Sequence, residues 1–532
     1  MGIFISVGRT VECIVMALCF GALLTMSSTK LLGALQGCNY SGKKLLRWAR
    51  KRNNMSFERL ALLGMLCALS SAIVSLCFSF AGQWAAVIGL IPYAVFFGVF
   101  IYADGKIALR VPAVRTRRFR RLEVVLFFVC AVASYIIITL LNFAAEAWGK
   151  RLFLILRYVP LAILPVILLL LICLANALSK IYEVPHNRTY IKRAKEKLGS
   201  SSLTVVGITG SYGKTSTKNI LAAILGKKYR VLTTPRSHNT PIGIALAVNA
   251  NDLSSFDVFI AEMGARNVGD IAELCDICPP DYSLLTGICA QHLETFESID
   301  NIIKAKGEIL SATRKKAFIA GDCREYFKDI PCPFEFCDCV SDIQAGCDGT
   351  DFTLTLGGES VRVHTRLLGA HCARNIGLAA RLAFEMGVGL EDIAAAAEEL
   401  NFVEHRLQLT QSNGINILDD GYNANIKGAR AALEVLRAFP GRKLIVTPGI
   451  VELGILEEQE NRQFGGLLAG LDLVILVGDT LVTPVKEGYL EVGGDPEKLL
   501  VRETLKDAQA ELKKVLERGD TVLFLNDLPD IY

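Results

Sequence analysis

Residues 207–220 read GITGSYGKTSTKNI. They follow the β-branched run LTVV (203–206) and lead into ILAAILG, so strand, glycine turn and helix arrive in the order a phosphate-binding loop needs. Gly210 and Gly213 let backbone N–H groups approach phosphate oxygens, and the helix that follows directs its partial positive charge at them. Lys214 can bridge the β- and γ-phosphates of ATP, and the Thr215 hydroxyl can ligate Mg2+, with Ser211 and Ser216 beside them. The pattern departs from the general Walker A loop, because Ile208 stands where its first glycine is required.

The residues before this loop have a different character. Of the 532 residues 52% are hydrophobic, and the excess lies at the front of the chain. Leu60 to Ala103 carries no charge at all, far beyond the ~20 residues that cross a bilayer. That run divides at Ala81-Gly82-Gln83 into two spans, Val124–Ala145 and Tyr158–Ser179 add two more, and Cys13–Thr29 is a shorter fifth. Cys13–Thr29 lacks the basic start and cleavage site of a signal peptide. Basic residues crowd segments 30–59 and 104–121, which sets both on the cytoplasmic side with the turn at Gly82 opposite. The expected topology is N-terminus out and C-terminus in, a multi-pass protein of the bacterial cell membrane with everything after Lys180 in the cytoplasm. A net charge of only +4, with the basic clusters juxtamembrane, favours lipid contact over nucleic acid, and no nucleic-acid partner is expected.

The soluble part alternates strand and helix patterns. DVFIAEM, YSLLTGI, AFIAG and FTLTL interleave with helices at 298–313 and 373–386, and a second set, INILDD, KLIVTPG, LVILVG and TVLFLND, interleaves with helices at 427–438 and 505–517. The expected fold class is an α-helical transmembrane region followed by two α/β domains. Its parts are a transmembrane region of about five helices (1–180), a polar, partly helical linker (181–202), a P-loop-type central ATP-binding domain (203–408) and a Rossmann-like C-terminal domain (409–532). The 16 cysteines are scattered; CDIC (275–278) has no second pair and CPFEFCDC (332–339) has irregular spacing, so reduced thiols are favoured over a zinc site.

Seven motifs in order, the loop at Thr209–Thr217, HNTPIGI (238–244), EMGARNVGDI (262–271), AQHLETF (290–296) with AKGEIL (305–310), GAHCARNIGLAA (369–380), EHRLQ (404–408) and DDGYNAN (419–425), resemble the Mur ligase family. These enzymes extend the peptide of cell-wall precursors, and the similarity is greatest to the branch that adds D-alanyl-D-alanine. The resemblance implies ATP and two Mg2+ ions: Thr215 and Glu262 on one, His292 on the other, with Lys306 carbamylated beside it. It also implies nucleotide contacts from Asn239, Asn375 (adenine), Arg406 (γ-phosphate), Asp420 (ribose) and Asn423, and catalytic roles for Lys214, His292, Lys306 and Arg406. Arg406 and Asp420 could instead form an interdomain ion pair. The implied partners are the bilayer, a cell-wall precursor that could be lipid-linked, and a small amino substrate. Alternatives are an amide ligase that attaches or polymerises another amino acid such as glutamate, and a non-catalytic nucleotide-binding scaffold.

Several positions depart from the family. Membrane-like helices stand where a uridine-nucleotide domain is expected. Cys372 replaces Asn, Gly421 a hydroxyl residue and Ile426 Pro, and TPGIVELG (447–454) replaces a more acidic loop. These changes fall where substrate choice would be made.

Overall fold

The computed structural model describes all residues except 1, 39, 51–56, 79–84, 106–112, 149–162, 329, 422–424, 479–480 and 527–532. The chain divides into two units, Met1–His186 and Asn187–Leu528.

Every described element of the first unit is a helix. The five expected apolar segments lie in helices Gly2–Ser27, Phe57–Cys77, Leu90–Gly105, Arg117–Trp148 and Ile163–Gly199; the Gly82 turn and residues 158–162 lie outside the described residues. Gly2–Ser27 packs along Arg117–Trp148, and Gly21 permits the approach: a Cβ there would sit 2.9 Å from the Ala131 Cβ. Leu69, Ile73, Val99, Phe128, Leu140 and Leu170 face outward. Among the described residues, two helices are long and apolar enough to cross a membrane, Arg117–Leu140 and Ile167–Gly199, or three if the bent pair Cys13–Ser27 and Thr29–Gly37 is one span. Five spans were expected, and this count covers the described residues alone. The last apolar helix runs without a break to Gly199, through Pro185, so most of the segment expected as a partly helical linker (181–202) is helical.

In the second unit, strands β1 (Thr204–Thr209), β2 (Val231–Thr233), β3 (Val258–Glu262), β4 (Tyr282–Leu285), β5 (Lys316–Ala320) and β6 (Phe334–Cys337) form a parallel sheet in the order β2-β3-β1-β4-β5-β6. Both faces are covered by helices, so β3 is buried throughout and reads as a continuous apolar run up to Glu262. Strand order reverses direction at β1, which opens a crevice at its C-terminal end between the ends of β3 and β4. The phosphate loop leaves β1 at that point.

FTLTL does not join this sheet, contrary to expectation. It lies in β8 (Thr350–Leu356), between β7 (Val340–Ala345) and β9 (Glu359–Thr365), in a separate antiparallel sheet. Gly357 and Gly358, both with positive φ, close the tight turn into β9, and that turn chemistry forces antiparallel pairing.

The C-terminal sheet is ordered β10-β11-β15-β12-β13-β14, from β10 (Gln408–Ser412), β11 (Ile415–Asp420), β12 (Lys443–Thr447), β13 (Leu473–Val477), β14 (Leu499–Arg502) and β15 (Thr521–Leu525). It is parallel apart from edge strand β10, which an Asn413-Gly414 turn folds back onto β11. On one face the helices Glu457–Leu467 and Val482–Glu491 touch through glycine. A Cβ on Gly488 would lie 1.7 Å from the Arg462 carbonyl oxygen, and one on Gly465 would lie 2.0 Å from that of Val485. Gly488→Ala should therefore destabilise the domain by about 1–3 kcal/mol in urea denaturation, although alanine favours helix. Unchanged or increased stability would show that the helices can separate without loss.

Candidate nucleotide and metal site

The loop from Thr209 to Gly213 is held from behind by the segment that leaves β4. The Ser211 N–H donates to the Gly287 carbonyl at 2.8 Å, and the Thr286 N–H donates to that of Thr209 at 2.9 Å. The Ser211 hydroxyl donates to the Cys289 carbonyl at 3.2 Å, and the Thr286 hydroxyl donates to that of Tyr212. Gly210 is required here, since a Cβ would fall 2.2 Å from the Thr286 hydroxyl oxygen. Gly213 caps the helix Lys214–Leu225 at φ +76° with no side-chain cap, so the first N–H groups of that helix face the crevice. The Asn375 Oδ1 would stand 3.1 Å from a Cβ on Gly213, so Asn375 flanks the loop itself. Ser216 is half-buried in the first helical turn.

Glu262 is the centre of the site. It lies at the end of β3, level with Ile208 of β1, and is 1% exposed. Its Oε2 accepts from the Thr215 hydroxyl at 3.0 Å and from the Lys218 ammonium at 3.1 Å, and its Oε1 accepts from the Asn239 amide at 3.1 Å. Gly264 presses on Asn239 and donates its N–H to the Asn239 carbonyl at 2.9 Å, which fixes that side chain. Thr215 and Glu262 thus present hard oxygen donors side by side at the mouth of a phosphate loop. Mg2+ bound to nucleotide takes only one or two protein oxygens and completes its shell with phosphate and water, so this pair fits such an ion. Among the described residues no group of three or more His, Cys, Asp or Glu is placed to hold a metal alone.

Lys214 folds back onto the loop and donates to the Gly210 carbonyl at 2.7 Å. Burial lowers its pKa, Glu262 opposes that, and the Arg406 charge adds to it. Lys306 is 3% exposed on the helix Ile299–Ala312, with its Nζ 5.8 Å from the centre of the Phe296 ring. Burial first, and the Lys214 charge second, hold its pKa well below the usual lysine value. Arg406 acts on Lys214 and on Asp420, which places its charge between loop and C-terminal sheet. Asp420 ends β11 and accepts from the Leu407 N–H at 3.1 Å; burial raises its pKa to about 6, against the pull of Arg406. The substituted residue Cys372 lies near Asp420, whose charge adds to burial in pushing the thiol to about 12.

His292 begins a short helical turn in the left-handed region, at φ +57°. Its Nδ1 pairs with Glu452, which belongs to the 447–454 loop of the C-terminal domain, and the Leu293 N–H donates to the Glu452 carbonyl at 3.1 Å. The structure thus joins Thr215, Glu262 and Asn239 directly and puts both Lys306 and Arg406 within electrostatic reach of Lys214. Asn423 lies outside the described residues.

Lys218, Tyr212, Thr286, Glu452 and Lys427 were not singled out by sequence reasoning. Lys218 carried a signal, since it follows Lys214 by four residues and so shares its helix face. The others come from segments far apart in sequence. Because the Lys218–Glu262 pair is fully buried, Glu262→Gln should cost about 3 kcal/mol of stability by leaving the ammonium uncompensated. The double variant Glu262→Gln/Lys218→Met should recover most of that loss in urea denaturation. Additive losses would contradict the pairing.

Two family descriptions match the chain: "Mur ligase middle domain" over residues 208–383 and "Mur ligase, glutamate ligase domain" over 405–526. The UDP-N-acetylmuramoyl-tripeptide–D-alanyl-D-alanine ligase of Escherichia coli K12 is 32% identical over 335 residues, 59% of this chain and 74% of that protein. The Bacillus subtilis protein of the same name is 28% identical over 350 residues, 62% of this chain and 74% of that protein. Among solved structures, MurF from Acinetobacter baumannii superposes with a TM-score of 0.59 at 25% identity, covering 65% of this chain and 78% of that one. MurF ligase from Thermotoga maritima in complex with ADP gives a TM-score of 0.58 at 28% identity, over 65% and 81%. The two matched domains coincide with the central and C-terminal sheets and with the loop and carboxylate just described, and on that basis the chain belongs to the Mur ligase family of ATP-dependent ligases.

Proposed function

We propose that the chain uses Mg2+ and ATP to join D-alanyl-D-alanine to the terminal carboxylate of a muramoyl-tripeptide precursor. The observation that carries this reading is the Glu262 network at the phosphate loop, in a chain whose relatives share that activity in their names. A carboxylate is a poor electrophile, so its oxygen first attacks the γ-phosphorus of ATP, the bond to the β,γ-bridging oxygen breaks, and ADP leaves. The incoming amine then attacks the acyl carbon, gives up a proton, and the tetrahedral intermediate expels inorganic phosphate. The first step brings two anions together, and positioned cations do most of the work.

In this reading the N–H groups of the loop and Lys214 hold the β- and γ-phosphates. Arg406 reaches the γ-phosphate, while Asn375, Asp420 and Asn423 hold the nucleoside. Thr215 and Glu262 would hold a Mg2+ ion that offsets phosphate charge, and His292 would serve a second. Lys306 has the burial that favours a neutral amine, the form that adds CO2, and carbamylation would turn it into an anion that could approach the second metal.

Residues 1–186 extend the proposal to location. The outward apolar faces and juxtamembrane arginines support a multi-pass anchor with the ligase domains in the cytoplasm, beside a precursor that a lipid could carry. Detergent-purified full-length protein should add D-alanyl-D-alanine to a muramoyl tripeptide with matching phosphate release, read by mass spectrometry. Offering uridine-linked and lipid-linked tripeptides side by side tests the location, and a higher kcat/KM for the lipid-linked one is expected. Turnover of the uridine-linked form alone would overturn the membrane-face part, and phosphate release with glutamate alone would overturn the choice of amine.

A further inference from the structure

The helix Ile426–Ala438 of the C-terminal domain sends one side chain back into the central domain. Lys427 donates to the Ile288 carbonyl at 3.2 Å, stands 3.6 Å from Asp322 Oδ2, and lies 5.3 Å from the centre of the Tyr212 ring. Each of these three groups already braces the phosphate loop. Tyr212 is a loop residue, and its ring packs so closely on Gly287 that a Cβ there would fall 2.2 Å from its Cζ. Its hydroxyl donates to Asp322, in the turn that follows β5. Ile288 adjoins Gly287, whose carbonyl accepts from the Ser211 N–H at 2.8 Å.

The Asp322 carboxylate therefore receives the Tyr212 hydroxyl on one side and the Lys427 ammonium on the other, with the Tyr212 ring under that ammonium. We propose that Lys427 is a positioning residue through which the C-terminal domain sets the shape of the phosphate loop. It touches neither the phosphates nor the reacting carboxylate, and acts through Tyr212, Asp322 and the 286–288 segment. By linkage, the factor by which the Lys427 contacts strengthen nucleotide binding equals the factor by which bound nucleotide strengthens those contacts.

This inference rests on the reading of Thr209–Thr217 as the ATP loop, and its test separates the two. Lys427 and Asp322 are each about half exposed, so their ion pair contributes little to global stability. Lys427→Met keeps the stem and removes the charge. Titration calorimetry of the full-length protein with a non-hydrolysable ATP analogue and Mg2+ should show affinity weakened by about fivefold or more, with the melting temperature unchanged. Lys427→Arg should restore most of the affinity. Asp322→Asn should weaken binding as well, and the double variant Lys427→Met/Asp322→Asn should be no weaker than the poorer single one. Equal affinity in wild type and Lys427→Met, or fully additive losses, would overturn the role of Lys427. Failure of the wild type to bind the analogue would overturn the ATP site itself.

Discussion

A carboxylate with almost no solvent exposure sits at the end of β3, and the nucleotide site depends on how it is satisfied. Left alone, the Glu262 charge would cost several kcal/mol in such a place. Three donors from two separate segments meet it: Thr215 and Lys218 from the helix after the phosphate loop, and Asn239 from the stretch before the helix at Pro241. Satisfying the charge therefore fixes the rotation of one helix and the path of one loop. The reversal of strand order at β1 delivers all of them to the same crevice. A divalent ion entering with ATP would find its oxygen ligands already in place and a lysine already balancing the charge.

Among the described residues, three charged groups join this crevice to the C-terminal sheet and its connections. Glu452 pairs with His292, the charge of Arg406 reaches both Lys214 and Asp420, and Lys427 closes over Tyr212 and Asp322. None of the three is a buried hydrophobic contact; each is a polar reach from a strand end or a helix start. Glu452 of the substituted 447–454 loop is thereby in direct contact with His292, although the two belong to different domains.

Much of this was legible in the sequence for simple physical reasons. A phosphate loop needs glycines at particular backbone positions, and buried parallel strands need unbroken apolar runs, so 207–220 and the strands at 258, 282, 316, 443, 473 and 521 stood out. FTLTL misled because a strand pattern carries no information about its partner; the Gly357-Gly358 turn did, and outweighed the surrounding alternation. The polar stretch after Ser179 read as a linker because its composition changes, yet helix propagation carries on through it to Gly199. Lys218 could have been inferred from its four-residue spacing to Lys214. Tyr212–Asp322–Lys427 and His292–Glu452 could not, because each joins residues more than a hundred positions apart whose meeting only the packed sheets determine.

The proposed reaction activates a carboxylate as an acyl phosphate at this site. Labelling both oxygens of the tripeptide's terminal carboxylate with oxygen-18 and analysing the phosphate released during ligation tests it directly. One labelled oxygen should be carried into inorganic phosphate for each peptide bond formed. Phosphate free of label, or label recovered in AMP, would contradict it.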